Sequence, residues 1–259
     1  MASVKLPRRA LLATLCGAMS PVAWGQSLSG LVSRCRPSIL AVGTFSALRS
    51  PRFTFSGTGF VIGDGTVVAT CLHVVPDVGL SNERVDLAVQ WRGEQGEMLW
   101  RRAKVLAQDR GRDLCLLRME GAPLPALPIS DQDGADAAEG SAVVLMGYPI
   151  GGALGFSVVS HRGMVSSRVN SIAPAPSASS LSDIAVKGAR AGAFDLLQLD
   201  ATAYPGNSGG PVINVDTGSV VGVVSMVLVK STRESALSSP TGITYAVPSK
   251  YVGSILKQI

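Results

Sequence analysis

The stretch Asp200-Ala201-Thr202-Ala203-Tyr204-Pro205-Gly206-Asn207-Ser208-Gly209-Gly210-Pro211 decides how the rest of the chain is read. Glycines on both sides of Ser208 permit backbone angles that residues with a Cβ resist. A serine nucleophile needs that freedom, so that its own N–H and that of Gly206 can converge on a developing oxyanion. Taken alone, the string also fits a glycine-rich turn between strands. The distinction rests on whether the chain supplies a base and an acid to orient it.

Only two histidines are present, His73 and His161. His73 closes the run Val67-Val68-Ala69-Thr70-Cys71-Leu72-His73, at the exit of a predicted strand. His161 falls in Ser160-His161-Arg162-Gly163, which reads as a polar turn with a solvated imidazole. Asp113 opens Asp113-Leu114-Cys115-Leu116-Leu117, a charge set directly against a buried strand. Such a carboxylate is costly to bury unless it is paired. It either caps a turn or holds His73, and nothing after it has a helical period. Residues 206–210 also match the nucleophile elbow of α/β-hydrolases, but those enzymes place their histidine after the serine. No histidine follows Ser208, and the helices that fold needs are missing. The order His73, Asp113, Ser208 is the one used on two-barrel β-folds.

Short β-type runs punctuated by Gly, Pro, Asp and Ser fill both halves of the chain. Strands are predicted over 38–45, 53–62, 66–70, 85–91, 103–107 and 114–118. Asp64-Gly65 between the second and third is a strong hairpin signal. Residues 121–140, rich in Pro, Gly and Ala, read as a linker. Strands resume over 141–147, 156–160, 163–167, 196–200, 211–214, 220–229 and 243–247. Residues 170–192 read as a long loop. Ser249 caps a short closing helix with Val252, Ile255 and Leu256 on one face. About six strands, a linker, about six more and a short C-terminal helix argue for two all-β barrels or sandwiches.

The 259 residues are 46% hydrophobic and 16% charged, enough apolar material for a core and too little charge for a disordered chain. Net charge is +5, but Lys5, Arg8 and Arg9 lie at the start, and residues 1–25 hold no acid. The remainder carries 20 basic against 18 acidic residues, which leaves no electrostatic footprint for nucleic acid. Residues 1–25 read as an export signal: a basic start, an apolar run over 10–19, then Ala23-Trp24-Gly25 before the cut. Arg8-Arg9 loosely matches a twin-arginine signal. No later segment is apolar enough to span a bilayer, so a periplasmic or secreted protein without stable membrane insertion is expected. The predicted units are therefore a signal over 1–25, one barrel over 26–125 and a second over 126–259. Cys35, Cys71 and Cys115 remain after cleavage, and an odd count cannot pair fully. With two histidines, a zinc cluster is not expected, and neither a metal nor an organic cofactor is implied.

Three blocks carry a resemblance to a known family. Ser56-Gly57-Thr58-Gly59-Phe60 with Val67 to Val75, Asp113 to Arg118, and Asp200 to Pro211 are similar to the trypsin-fold serine proteases of the bacterial high-temperature-requirement (Deg) type. Met146-Gly147-Tyr148-Pro149 and Gly242 to Pro248 resemble that family's supporting strands. The likeness spans roughly residues 38–250 and departs at two points. Cys71 stands where the family commonly has Asn, and the chain ends eleven residues after Pro248, leaving no PDZ module.

The resemblance implies an all-β fold of two six-stranded antiparallel β-barrels with a short C-terminal helix, and an endopeptidase acting on polypeptides through an acyl-enzyme. Ser208 would be the nucleophile, His73 the base and Asp113 its orienting acid, with the Gly206 and Ser208 amides as oxyanion hole. Asn207 stands where zymogen-activated relatives carry an Asp, so activation by loop ordering is expected, with 170–192 as the candidate loop. Thr202 stands where a trypsin would hold its acid, and Met226 and Leu228 fall on the expected pocket wall. That pocket suits a small or medium apolar side chain before the scissile bond. Asp200 reads as structural. The rival reading is a silent or latent member that binds unfolded polypeptide, and the oligomeric state is not legible.

Overall fold

A computed structural model describes residues 27–78, 85–130, 135–149, 156–171, 193–225 and 242–259. Twelve strands form two closed antiparallel barrels. In the first, β1 (Ile39–Phe45), β2 (Phe53–Ile62), β3 (Val67–Cys71), β4 (Asp86–Arg92), β5 (Met98–Asp109) and β6 (Leu114–Met119) close in the order β1-β2-β3-β6-β5-β4. In the second, β7 (Ala142–Gly147), β8 (Val159–Asn170), β9 (Asp195–Asp200), β10 (Pro211–Asn214), β11 (Val220–Val224) and β12 (Ile243–Pro248) close as β10-β11-β12-β9-β8-β7. The predicted fold class is the observed one.

The apolar runs do what their composition dictates. Every residue of β3 and β11 is buried, as strands with both faces covered require. Between β2 and β3, Gly63 and Gly65 take positive φ (61° and 83°), which a Cβ would strain. The Asp64 carboxylate closes that turn by accepting from the Thr66 amide (2.9 Å) and hydroxyl (2.6 Å). The larger apolar core fills the first barrel and runs across to Met146, Tyr148, Ile213 and Val223 of the second half. A smaller one, including Leu145, Val165, Leu197 and Leu199, fills the second barrel.

Four details differ from the sequence expectations. The runs at 156–160 and 163–167 are one strand, β8, so the turn expected around His161 does not exist. Strand β5 extends far beyond 103–107, because it pairs along one edge with β4 and along the other with β6. A helix not foreseen, α1 (Leu28–Cys35), starts at Ser27, whose hydroxyl accepts from the Gly30 amide and whose helix buries Leu31 and Cys35. The closing helix α2 (Ser249–Leu256) has no side-chain cap; the Ser249 hydroxyl donates to the Ser130 carbonyl (2.9 Å). Its apolar face is as expected, with Val252 and Ile255 buried.

Candidate active site

Strand register brings His73 and Asp113 together. β3 and β6 pair antiparallel with Cys71 opposite Leu114, so the residues just beyond, Leu72 and Asp113, meet at the strand ends. The Leu72 amide donates to the Asp113 carbonyl (2.9 Å). One turn of 3-10 helix, Leu72–Val74, then carries His73 over the Asp113 side chain. Oδ1 of Asp113 accepts from the His73 backbone amide at 2.9 Å, and Oδ2 lies 2.6 Å from His73 Nδ1. The carboxylate therefore fixes both the ring and the backbone that bears it. Asp113 has φ +58°, the one positive value outside glycine among the described residues. Holding a residue with a Cβ there costs roughly 1 kcal/mol, and such strain gathers at functional sites.

The serine arrives from the second barrel. Ser208 is 6% exposed, and its carbonyl accepts from the Thr58 amide at 2.9 Å. Gly206 (φ +104°) and Gly209 (φ +84°) flank it in conformations that favour glycine. A Cβ at Gly209 would overlap the Thr58 carbonyl and the Thr70 hydroxyl, and would come within 3.1 Å of the Cys71 nitrogen. A Cβ at Gly57 would press on Val74 and come within 3.1 Å of the Ser208 carbonyl. The serine loop thus lies against Cys71, two residues before His73, while Gly57 of β2 fits between Val74 and the Ser208 carbonyl.

Thr58 lies in the Ser56–Phe60 block, whose motif does not reveal what this side chain bonds. It is fully buried, and all its polar groups are used. Its Oγ1 donates to the Gly206 carbonyl (2.6 Å) and accepts from the Tyr148 amide (3.0 Å), while its carbonyl accepts from Thr70 Oγ1 (2.7 Å). One residue of β2 thereby ties down three parts of the second barrel: Gly206, Ser208 and Tyr148. The signal in the sequence is the glycine just before it, Gly57, which lets β2 approach the Ser208 carbonyl and Val74 closely.

Cys71 lies under this arrangement. Its thiol donates to the Val224 carbonyl (3.2 Å), while the Ser225 hydroxyl lies 3.4 Å from Asp113 Oδ2. Burial pushes the Cys71 thiol well above its ordinary range, and the Asp113 charge adds to the rise. Ligand atoms of Cys71, His73 and Asp113 all lie within 4.8 Å of one another. Asn207, 2% exposed, has both side-chain polar atoms buried without a hydrogen-bond partner.

The remaining expected positions are less convergent. Thr202 lines a cleft of about 480 Å³ together with Arg162, Met164 and Asp200, and neither His73 nor Ser208 lines it. Met226 and Leu228, and nearly all of the 170–192 loop, lie outside the described residues. His161 is not solvated as expected. It lies in β8 opposite Leu145, 5.8 Å from the Tyr204 ring, with Nε2 buried and unpartnered. Burial lowers its pKa below the ordinary 6.5.

Two six-stranded barrels, with a His–Asp pair on the first and a glycine-flanked serine on the second, define a protein of the trypsin-like class. A family model described as trypsin-like peptidase domain matches residues 57–223. A probable periplasmic serine endoprotease, DegP-like, from Rickettsia prowazekii is 29% identical over 212 residues, which is 82% of this chain and 34% of that protein. The mitochondrial serine protease HTRA2 of Bos taurus is 30% identical over 248 residues, 93% of this chain and 45% of that protein. The crystal structure of an inactive serine-to-alanine mutant of Rv3671c from M. tuberculosis superposes with TM-score 0.57 at 22% identity, covering 88% of this chain and 89% of that one. That last likeness speaks to the fold. The chain spans about a third of the DegP-like relative, 34%, and under half of HTRA2, 45%. It belongs to the trypsin-like peptidase family.

Proposed function

We propose that this chain is a serine endopeptidase that cleaves polypeptides through an acyl-enzyme. The observation that carries the reading is the double grip of Asp113 on His73, at the backbone amide and at Nδ1. In the proposed mechanism, Ser208 Oγ attacks the scissile carbonyl while His73 Nε2 takes its proton. The imidazolium, stabilised by Asp113, returns that proton to the leaving amine, and water then repeats the cycle on the ester. The Gly206 and Ser208 amides receive the oxyanion; losing one such donor typically costs about 2.7–4 kcal/mol.

Thr202 in place of an acid favours small or medium apolar residues before the cut. That preference requires the substrate side chain to meet Thr202 away from Asp200, because the Asp200 carboxylate lines the same cleft and would pair with a guanidinium. Peptide libraries test this, and a strong preference for Arg would overturn it. The unpartnered Asn207 side chain beside the nucleophile supports a resting site that tightens when substrate or a loop completes its hydrogen bonding. The basic and apolar start of the chain supports export, as does its similarity to probable periplasmic endoproteases. Among the described residues no helix is long and apolar enough to cross a membrane.

An active-site label of the fluorophosphonate type is the direct test, run beside hydrolysis of casein. Both are expected from the wild-type chain, and both should vanish in Ser208→Ala with an unchanged unfolding profile. Wild-type turnover retained by Ser208→Ala would overturn the assignment.

A further inference from the structure

The thiol beneath the His–Asp pair has no part in peptide hydrolysis, yet it completes a donor set. Sulfur, imidazole nitrogen and carboxylate oxygen lie within 4.8 Å of one another. Three such donors with one open position match the coordination that Zn2+ takes. A soft sulfur ligand also selects against Mg2+ and Ca2+. Cys71 is fully buried, but the His73 and Asp113 side chains are 30% and 14% exposed, so an ion reaches the sulfur from the solvent side of the ring. Beside the donors, the Ser225 hydroxyl donates to the Asp113 carboxylate and supplies an outer hydrogen bond of the kind such ligands need, while the Val224 carbonyl loses its thiol donor when the ion binds.

We propose that Cys71, His73 and Asp113 form an inhibitory site for a thiophilic divalent cation of the Zn2+ class. Two ligands about 2.0–2.1 Å from a tetrahedral ion sit roughly 3.3 Å apart. The 2.6 Å contact between Nδ1 and Oδ2 is shorter than that, so the ion replaces the hydrogen bond. The bookkeeping of protons is simple. A metal–sulfur bond forms as the thiol proton leaves to solvent, and nothing is oxidised or reduced. The imidazole proton moves from Nδ1 to Nε2, which frees the Nδ1 lone pair for the ion. Nε2 is then protonated and cannot accept the proton of Ser208. The inhibitory consequence rests on the peptidase reading; the binding site does not.

The test separates the two. Cd2+ is titrated into the full chain carrying Ser208→Ala, which cannot digest itself, and the ultraviolet charge-transfer band of a cadmium thiolate is followed. One ion per chain with that band is expected, reversed by a chelator. Cys71→Ser should abolish the band, and His73→Ala, at a partly exposed side chain, should weaken binding at least about tenfold. Cys35→Ser should leave the band intact. A band undiminished by Cys71→Ser, or no band with Cys71 present, overturns the site. In the active chain, Zn2+ should inhibit turnover, and Cys71→Ser should be at least about tenfold less sensitive relative to its own metal-free rate. Equal sensitivity overturns the proposal. A chain that shows no labelling or turnover before metal is added, yet gives the cadmium band, ends the peptidase reading and leaves the ion site standing.

Discussion

Asp113 is the residue on which geometry and chemistry press hardest. Its left-handed backbone is one that Asn adopts readily and a β-branched residue does not. Asp113→Asn should therefore keep the fold, with a melting temperature close to wild type, while kcat falls by roughly four orders of magnitude through loss of the charge and the wrong imidazole tautomer. Asp113→Val should lose the same activity and roughly 1–2 kcal/mol of stability besides. Wild-type turnover in Asp113→Asn would remove Asp113 from the proposed triad. His161 makes a different prediction. Burial holds its imidazole below the ordinary 6.5, so the unfolded chain takes up a proton that the folded chain resists. Stability should then decline as pH falls below 6.5, and His161→Gln should flatten that slope in urea midpoints taken between about pH 7.5 and about pH 5. With only two histidines in the chain, His73 was legible as the candidate base. Thr58 was not, because its role lies in backbone and hydroxyl bonds to residues 90 and 148 positions away.

Strands were legible where their own side chains supply the burial. The core runs of β2, β3 and β6 read nearly to their ends, since apolar residues leave no other placement. Strand β5 did not, because Arg101, Arg102 and Lys104 carry no apolar alternation and the strand exists through pairing on both edges. What marks its outer face is aromatic: Trp100 stacks on Phe45 with centroids 3.6 Å apart. The β2–β3 turn was legible from Asp64-Gly65, and it carries a testable charge. The Thr66 hydroxyl, then its amide and Arg118, hold the Asp64 carboxyl at about 2 against an ordinary 3.8. A depressed carboxyl contributes stability above 3.8 that is lost as pH falls towards about 2. Asp64→Ala should be less stable than wild type at neutral pH, and the gap in denaturant midpoints should close across that acid window. A gap independent of pH would mean the turn is held by its glycines alone.

At the scale of the molecule, both barrels were legible from the count and spacing of short strands, while their mutual fit was not. That fit depends on Thr58, Gly57 and Gly209, which act through close backbone approach rather than through any pattern of hydrophobicity. Thr58→Val removes one buried donor and one buried acceptor at the barrel junction. It should cost about 1–3 kcal/mol, and should lower turnover more than Ser208 labelling of the folded fraction would suggest. Chemical denaturation together with kcat measures both parts. Unchanged stability would mean that Gly206 and Tyr148 are held in place without it.

The division of the proposed triad between barrels also sets an order in time. A ribosome makes His73 and Asp113 long before Ser208, and the two groups lie in different barrels. A nascent or half-threaded chain therefore carries an acid and a base with nothing to activate. On the proposed mechanism, the nucleophile is the last part to be delivered, so hydrolysis can begin only once synthesis has passed residue 208.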